Sequence, residues 1–264
     1  MKSIGSLAVR RLLLVGALLA AGLPGAWAQT AAPNPLRAVG IFSLLGDSIQ
    51  VVTSTDAPTD TRIERSARQT LNVPNIGFDN IAMRAARNAL GTAAPGATLE
   101  LYKATTPLLF EAQRDIAEGA VRGELPAWIV QAVEQKKLSH VLLVTRTRGP
   151  TDVRTGDGIS IGRGTVQGIG FYIDTLYTIK NLETGALATG LLAPYVQLRL
   201  TLMDTDTAAI RHYDVRDSYA LGSKESRAET DPWTLLSPTE KVEVLRKLLE
   251  QSVARGMDAL LKAR

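Results

Sequence analysis

Residues 196–202 place the tightest limit on how this 264-residue chain can fold. Val196, Leu198, Leu200 and Leu202 alternate with Gln197, Arg199 and Thr201. Side chains on a strand point to opposite faces in turn, so this pattern requires a β-strand with one dry face and one wet face. Asp204-Thr205-Asp206-Thr207 then makes a turn, where Asp is favoured for hydrogen bonds to its own backbone, and Ile210 to Tyr219 returns as the partner strand. The C-terminus reads as a long amphipathic helix. Val242, Leu245, Leu249, Val253, Met257 and Leu260 recur at helical spacing, while Ser237, Pro238 and Glu240 supply the cap, first-turn proline and third position of a capping box.

The rest of the chain follows the same logic. Segments 107–120 and 126–137 read as helices, with Pro107 and Pro126 at first-turn positions. Trp128, Ile129, Val133 and Leu138 make an inward stripe, and the apolar run 140–147 is a buried strand directly after it. Residues 38–45 and 48–54 are two β-favouring runs, expected as a hairpin through the turn pair Gly46-Asp47, and 63–73 is a third strand. Asp79 is expected to cap a helix carrying Ile81, Met83, Ala86 and Leu90, and 98–104 alternates as a short strand. Helix, tight connection and apolar strand point to α/β construction. The expected architecture is one α/β domain over 37–264, a three-layer mixed β-sheet flanked by helices. A Gly-rich β-hairpin extension at 151–192 and the long C-terminal amphipathic helix complete it.

The N-terminus has the layout of a secretory signal peptide over residues 1–28. Lys2, Arg10 and Arg11 precede a twelve-residue apolar run, Leu12 to Leu23, and Ala26-Trp27-Ala28 offers small residues for cleavage. The run is too short to cross a bilayer comfortably, so no transmembrane helix is expected after cleavage. Residues 29–36 read as a flexible tether. Export to the periplasm, free or associated with the outer membrane, is the expected location. Of the 30 cationic residues three lie in the leader and no acid does, leaving 27 against 26, a net charge of +1. That balance argues against a nucleic-acid partner. The chain has no cysteine, so an exported form must rest on its apolar core rather than on disulfides.

Gly46-Asp47-Ser48-Ile49 resembles the nucleophile block of the GDSL (SGNH) serine hydrolases. Such chemistry needs an imidazole to take the serine proton and an acid to orient it. His140 and His212 are the chain's two histidines, and neither is placed as that family's base is. Ser48 also leads into a strand-like run where the family has a helix. Gly162-Arg163-Gly164-Thr165-Val166-Gln167-Gly168 misses dinucleotide-binding spacing by one residue and precedes no helix. Asp204, Asp206, Asp214, Asp217 and His212 are the densest group of metal-ligand types, yet nothing in their spacing fixes several oxygens around one ion. No cofactor, metal or catalytic residue is expected from these patterns.

Ser139-His140-Val141-Leu142-Leu143-Val144 after a helix, and Leu198 to Ile210 with Asp204 at the turn, resemble a family of bacterial envelope proteins. It includes the curli-secretion lipoprotein CsgG, the peptidoglycan-synthase activator LpoB and the amino-terminal domain of TolB. The resemblance spans about residues 126–220; Thr145-Arg146 replaces the glycine usual after the first strand. It implies a three-layer α/β domain that binds other envelope proteins, or further copies of itself, rather than transforming a substrate. The expected function is therefore a non-catalytic exported assembly or interaction module. The alternatives are an esterase using Ser48 and a small-ligand-binding periplasmic protein. The candidate interaction surface is the Gly-rich segment: Arg146, Arg148, Arg154 and Arg163 near its base, with Ile169, Phe171 and Ile173 offering an apolar face.

Overall fold

Strands and helices are interspersed along the chain. In a computed structural model they are β1 (Ala38–Ser43), β2 (Ser48–Ser54), β3 (Ser66–Asn72), α1 (Phe78–Ala93), β4 (Thr98–Lys103), α2 (Gln113–Val121) and α3 (Ala127–Lys136). There follow β5 (His140–Arg146), β6 (Arg148–Pro150), β7 (Val153–Arg154), β8 (Ser160–Ile161), β9 (Thr165–Lys180), β10 (Leu187–Asp204) and β11 (Ile210–Ser218). A 3₁₀ turn (Pro232–Leu235) leads to the final helix, α4 (Pro238–Lys262). The structure describes residues 35–54, 66–74, 76–103, 109, 111–155, 158–180, 185, 187–222 and 231–263; the leader, most of the tether and Pro107 lie outside them. Among the described residues, no helix is long and apolar enough to cross a membrane.

The alternating segment becomes the spine of the sheet. One edge of β10 pairs with β11 over Tyr195–Met203. Its other edge pairs first with β9, over Leu187–Gln197, and then with β5, over Leu198–Asp204. From there the sheet forks into two wings. β5 leads to β1 and β4, all parallel, and β9 leads to parallel β2 and antiparallel β3.

This topology corrects the hairpin expected at Gly46-Asp47. β1 and β2 each lie parallel to a strand that is antiparallel to β10, so they run in the same direction, whereas hairpin arms oppose one another. Residues 44–47 carry the chain from one wing to the other. The physical reason is visible in β1, which is buried from Val39 to Ser43. A run apolar on both faces suits a parallel strand with neighbours on each side, not a half-exposed hairpin arm.

The sheet is covered on both faces, so the three-layer mixed architecture is present. On one face Leu198, Leu200, Leu202, Leu142 and Val144 meet α1 and α4, whose Leu245, Leu249, Val253, Met257 and Leu260 are buried as their spacing requires. Burying each such side chain contributes about 1.5–3 kcal/mol. A Cβ at Gly256 would stand 2.6 Å from Val215 and 2.8 Å from Leu200, so this glycine lets α4 lie close against the sheet. The capping box forms: Glu240 N donates to Ser237 Oγ and Ser237 N donates to Glu240 Oε2. On the other face Phe42, Leu44, Val141 and Leu143 pack on Ile116, Ala120 and Ile129 of α2 and α3.

Two expectations about exposure change in the folded chain. The wet face of β10 is partly dry: Gln197 and Thr201 are only 4% and 1% exposed. And β9, in the Gly-rich segment, is an inner strand between β2 and β10. Ile169, Phe171 and Ile173 are core residues, so the apolar face expected for partners is already covered. Trp233 of the 3₁₀ turn meets the Phe171 ring edge-on at 5.5 Å. A cover supplied from 62 positions away has no local signature.

Candidate functional site: a cleft at the fork of the sheet

Where the wings part, a cleft of about 580 Å³ opens at the carboxyl ends of parallel strands β1 and β5. In open α/β sheets ligands bind outside the carboxyl ends of the strands, where successive connections leave to opposite faces. The chain satisfies that condition here. The β1-to-β4 connection carries α1 on one face, and the β4-to-β5 connection carries α2 and α3 on the other.

Asp79 shapes the crossing loop. The N-cap of α1 is Gly77, at φ +68°, and Asp79 does not cap the helix as expected. Its fully buried carboxylate turns back to the chain leaving β1. Ser43 Oγ (2.6 Å) and Leu45 N (2.8 Å) donate to Oδ1, and Gly46 N (3.1 Å) donates to Oδ2. Burial raises the Asp79 pKa above the usual carboxylate range, against the pull of these donors.

Arg146, the last residue of β5, spans the fork. Its Nη1 donates to Ser48 Oγ at 3.1 Å and its Nη2 to the Ser48 carbonyl at 2.7 Å. Its backbone N donates to Gln113 Oε1, which ties in the first turn of α2. Its Nε is buried with no hydrogen-bond partner. Burial is the largest influence on the guanidinium and lowers its pKa, although arginine stays charged in any case. The glycines of β9 make room for this arrangement. A Cβ at Gly168 would lie 2.7 Å from Arg146 Cδ, and one at Gly170 only 1.8 Å from the Gln50 carbonyl oxygen. Tyr195 Oη reaches that carbonyl at 3.2 Å and the Gln167 carbonyl at 3.3 Å, and burial raises its pKa.

The residues singled out from sequence are dispersed. Arg148 donates to Thr165 Oγ1 beside Arg68, Arg154 sits on β7, and the backbone N of Arg163 donates to Tyr172 Oη. Of the four arginines, Arg146 is the one that lines the cleft at the fork. Ser48 is there too, but its hydroxyl accepts from Arg146. His140 begins the strand that Arg146 ends, about 20 Å away at 3.3 Å per residue. His212 lies opposite Thr201 on β11, with β10 and β5 between it and the cleft. The acidic group is also split. Asp204 accepts from the backbone N of Asp206 and Thr207 in the turn, Asp214 pairs with Arg199 through two bonds of 2.7 and 3.1 Å, and Asp217 meets Arg255 at 2.9 Å. No group of three or more His, Asp or Glu among the described residues could hold a metal ion.

Sequence reasoning missed Asp47, Asn72, Glu111 and Gln113, which line the cleft from three separate segments. Only Asp47 had a local signal, as half of a turn pair.

No protein-family model matches the chain, and no curated protein matches it. The solved structures it resembles include the PelC dodecamer from Paraburkholderia phytofirmans in space group P6, 13% identical over 87% of this chain and 89% of that one, with a TM-score of 0.31. A point-variant PelC dodecamer from the same organism, in space group C2, is 10% identical over 88% of this chain and 92% of that one, with a TM-score of 0.30.

Proposed function

We propose that the protein is a non-catalytic, exported module of the cell envelope that acts by binding other envelope proteins. The observation that carries this reading is a two-stranded ribbon. Among the described residues β9 pairs with β2 as far as Asp174, and β10 pairs with β11 from Tyr195, with one further bridge from Leu192 to Leu221. Beyond those points the ends of β9 and β10 continue together, out to the pair Lys180 and Leu187. Leu176 and Leu187 on this ribbon are 52% and 59% exposed. Asp174 Oδ1 accepts from the backbone N of Leu176 and Tyr177, which fixes the bend from which the ribbon departs. A ribbon whose outer edges carry no strand beyond Ser54 and Leu221 among the described residues, and which bears exposed leucines, suits strand addition, in which the partner's main chain supplies affinity and side-chain pockets supply selectivity.

A photo-crosslinking residue placed at 176 or 187 in whole cells tests the proposal. Capture of one defined envelope protein from these positions, and not from exposed Arg122 on the opposite wing, is the expected result. Equal, non-selective capture from all three positions refutes it.

A further inference from the structure

We propose that Ser139 and His140 form an acid-responsive latch on the first strand, which releases the backbone of Arg37 and Ala38 when the His140 ring takes up a proton. The inference is independent of the ribbon and of the cleft. β1 begins where the tether read in residues 29–36 meets the sheet, and the side chain of Ser139 holds that entry. Its Oγ accepts from the backbone N of Arg37 at 3.2 Å and of Ala38 at 3.1 Å, and lies 3.0 Å from the Ala38 carbonyl oxygen. His140 Nδ1 is 3.1 Å from the same Oγ, and the residue is only 3% exposed.

Hydrogen counting fixes the state of the ring. A hydroxyl has one hydrogen and two lone pairs. The two amides fill the lone pairs, so the hydrogen alone is left for the Ala38 carbonyl and for Nδ1, and both must be acceptors. Neutral His140 therefore carries its hydrogen on Nε2. Protonation adds a hydrogen at Nδ1, and three N–H groups then converge on two lone pairs. One of them must leave. Arg37 N makes the longest of these bonds and precedes β1, so it yields first. The ring cannot step aside cheaply, because it is buried on a strand paired at His140 with both Val39 and Asp204.

The charged groups facing the ring come from each neighbouring element. Asp204 at the end of β10 and Asp206 in the following turn favour its cation, whereas Arg211 on β11 and Arg37 before β1 oppose it. Burial is the largest influence and holds the His140 pKa below its ordinary 6.5. Asp204 is already committed to the backbone N of Asp206 and Thr207. The folded chain therefore holds this proton less tightly than the unfolded one. The stability linked to His140 is present in full above 6.5 and declines as pH falls from there toward the depressed value.

The leaderless chain, labelled with ¹⁵N, tests this between about pH 8 and about pH 5, the range in which histidine titrates. Nitrogen shifts of the imidazole report tautomer and titration. Amide hydrogen exchange, corrected for its intrinsic pH dependence, reports protection. The neutral ring should carry its hydrogen on Nε2. Protection of the Arg37 and Ala38 amides should then fall about tenfold or more as His140 gains its proton, while Leu142 and Leu200 in the sheet keep theirs. In His140→Asn, whose amide oxygen can replace Nδ1 as an acceptor, the fall should vanish. Should that variant fail to fold, the tautomer and exchange of the unaltered protein decide alone. A neutral ring protonated at Nδ1, or unchanged protection as His140 titrates, overturns the proposal. So does the same fall in His140→Asn, or loss of protection throughout the sheet at the same pH.

Discussion

The two halves of β9 share one glycine-rich neighbourhood and have opposite surroundings. Before Asp174, Ile169, Phe171 and Ile173 are buried between the sheet and its helical cover. After it, Leu176 stands 52% exposed on the ribbon. Glycine therefore does two unrelated jobs within a short distance. At 170 it lets a neighbouring backbone come closer than any Cβ would permit and at 168 it makes room for Arg146 at a φ of +67°, whereas at 185, with φ +70° and nothing within 4 Å among the described residues, it serves backbone conformation alone.

The sharpest way to break this comparison is a methyl group. Gly170→Ala puts a Cβ at 1.8 Å from the Gln50 carbonyl and should cost about 3 kcal/mol or more, or abolish folding. Gly185→Ala meets nothing among the described residues and should cost only about 1 kcal/mol, through its positive φ. Urea denaturation of the two variants compares them directly. Similar midpoints would mean that the inner half is no more tightly packed than the ribbon.

Asp79 sharpens the contrast between the cleft and the periphery. Asp79→Ala strands the backbone N of Leu45 and Gly46 and should cost about 2–3 kcal/mol. Its pH behaviour carries a sign opposite to that of Asp214. Burial raises the folded pKa of Asp79 above its ordinary 3.8, so the folded state holds this proton more tightly. The stability contributed is present below the ordinary value and is lost as pH rises through the raised one. Asp214 is held below 3.8, chiefly by the hydrogen bond from Arg199, so its contribution is present above 3.8 and lost as pH falls through the depressed value. Asp79→Asn should flatten the first slope and Asp214→Asn the second, as read from urea midpoints across the acid range.

The Arg199–Asp214 pair is about a quarter exposed on both sides, so solvent screens it. Asp214→Ala should cost about 1 kcal/mol, well below Asp79→Ala. The smallest effect belongs to the ribbon. Leu176→Ser combined with Leu187→Ser should shift stability by less than about 0.5 kcal/mol while removing partner capture. A large loss of stability would place these leucines in the core and erase the distinction.

Periodicity makes much of the fold legible in the amino-acid sequence. The alternation of 196–202, the stripe of α4 and its capping box, and the apolar strand after Leu138 each report a local period or a local hydrogen bond. The same sequence marks Ser48 and Arg146, but for a reactive or an exposed role. It could not show that they bond to each other across 98 positions.

What the sequence determined by itself was therefore element type and which face of each helix turns inward, because both follow from neighbours a few residues apart. The tertiary structure decided the direction of β2 relative to β1, the burial of Phe171 under Trp233, the turn of Asp79 toward the crossing loop, and the gathering of Asp47, Asn72, Glu111, Gln113 and Arg146 at one fork. Each of these depends on which strands pair along the two lengths of β10. Pairing is settled by the summed burial of both wings, a quantity that no single segment carries.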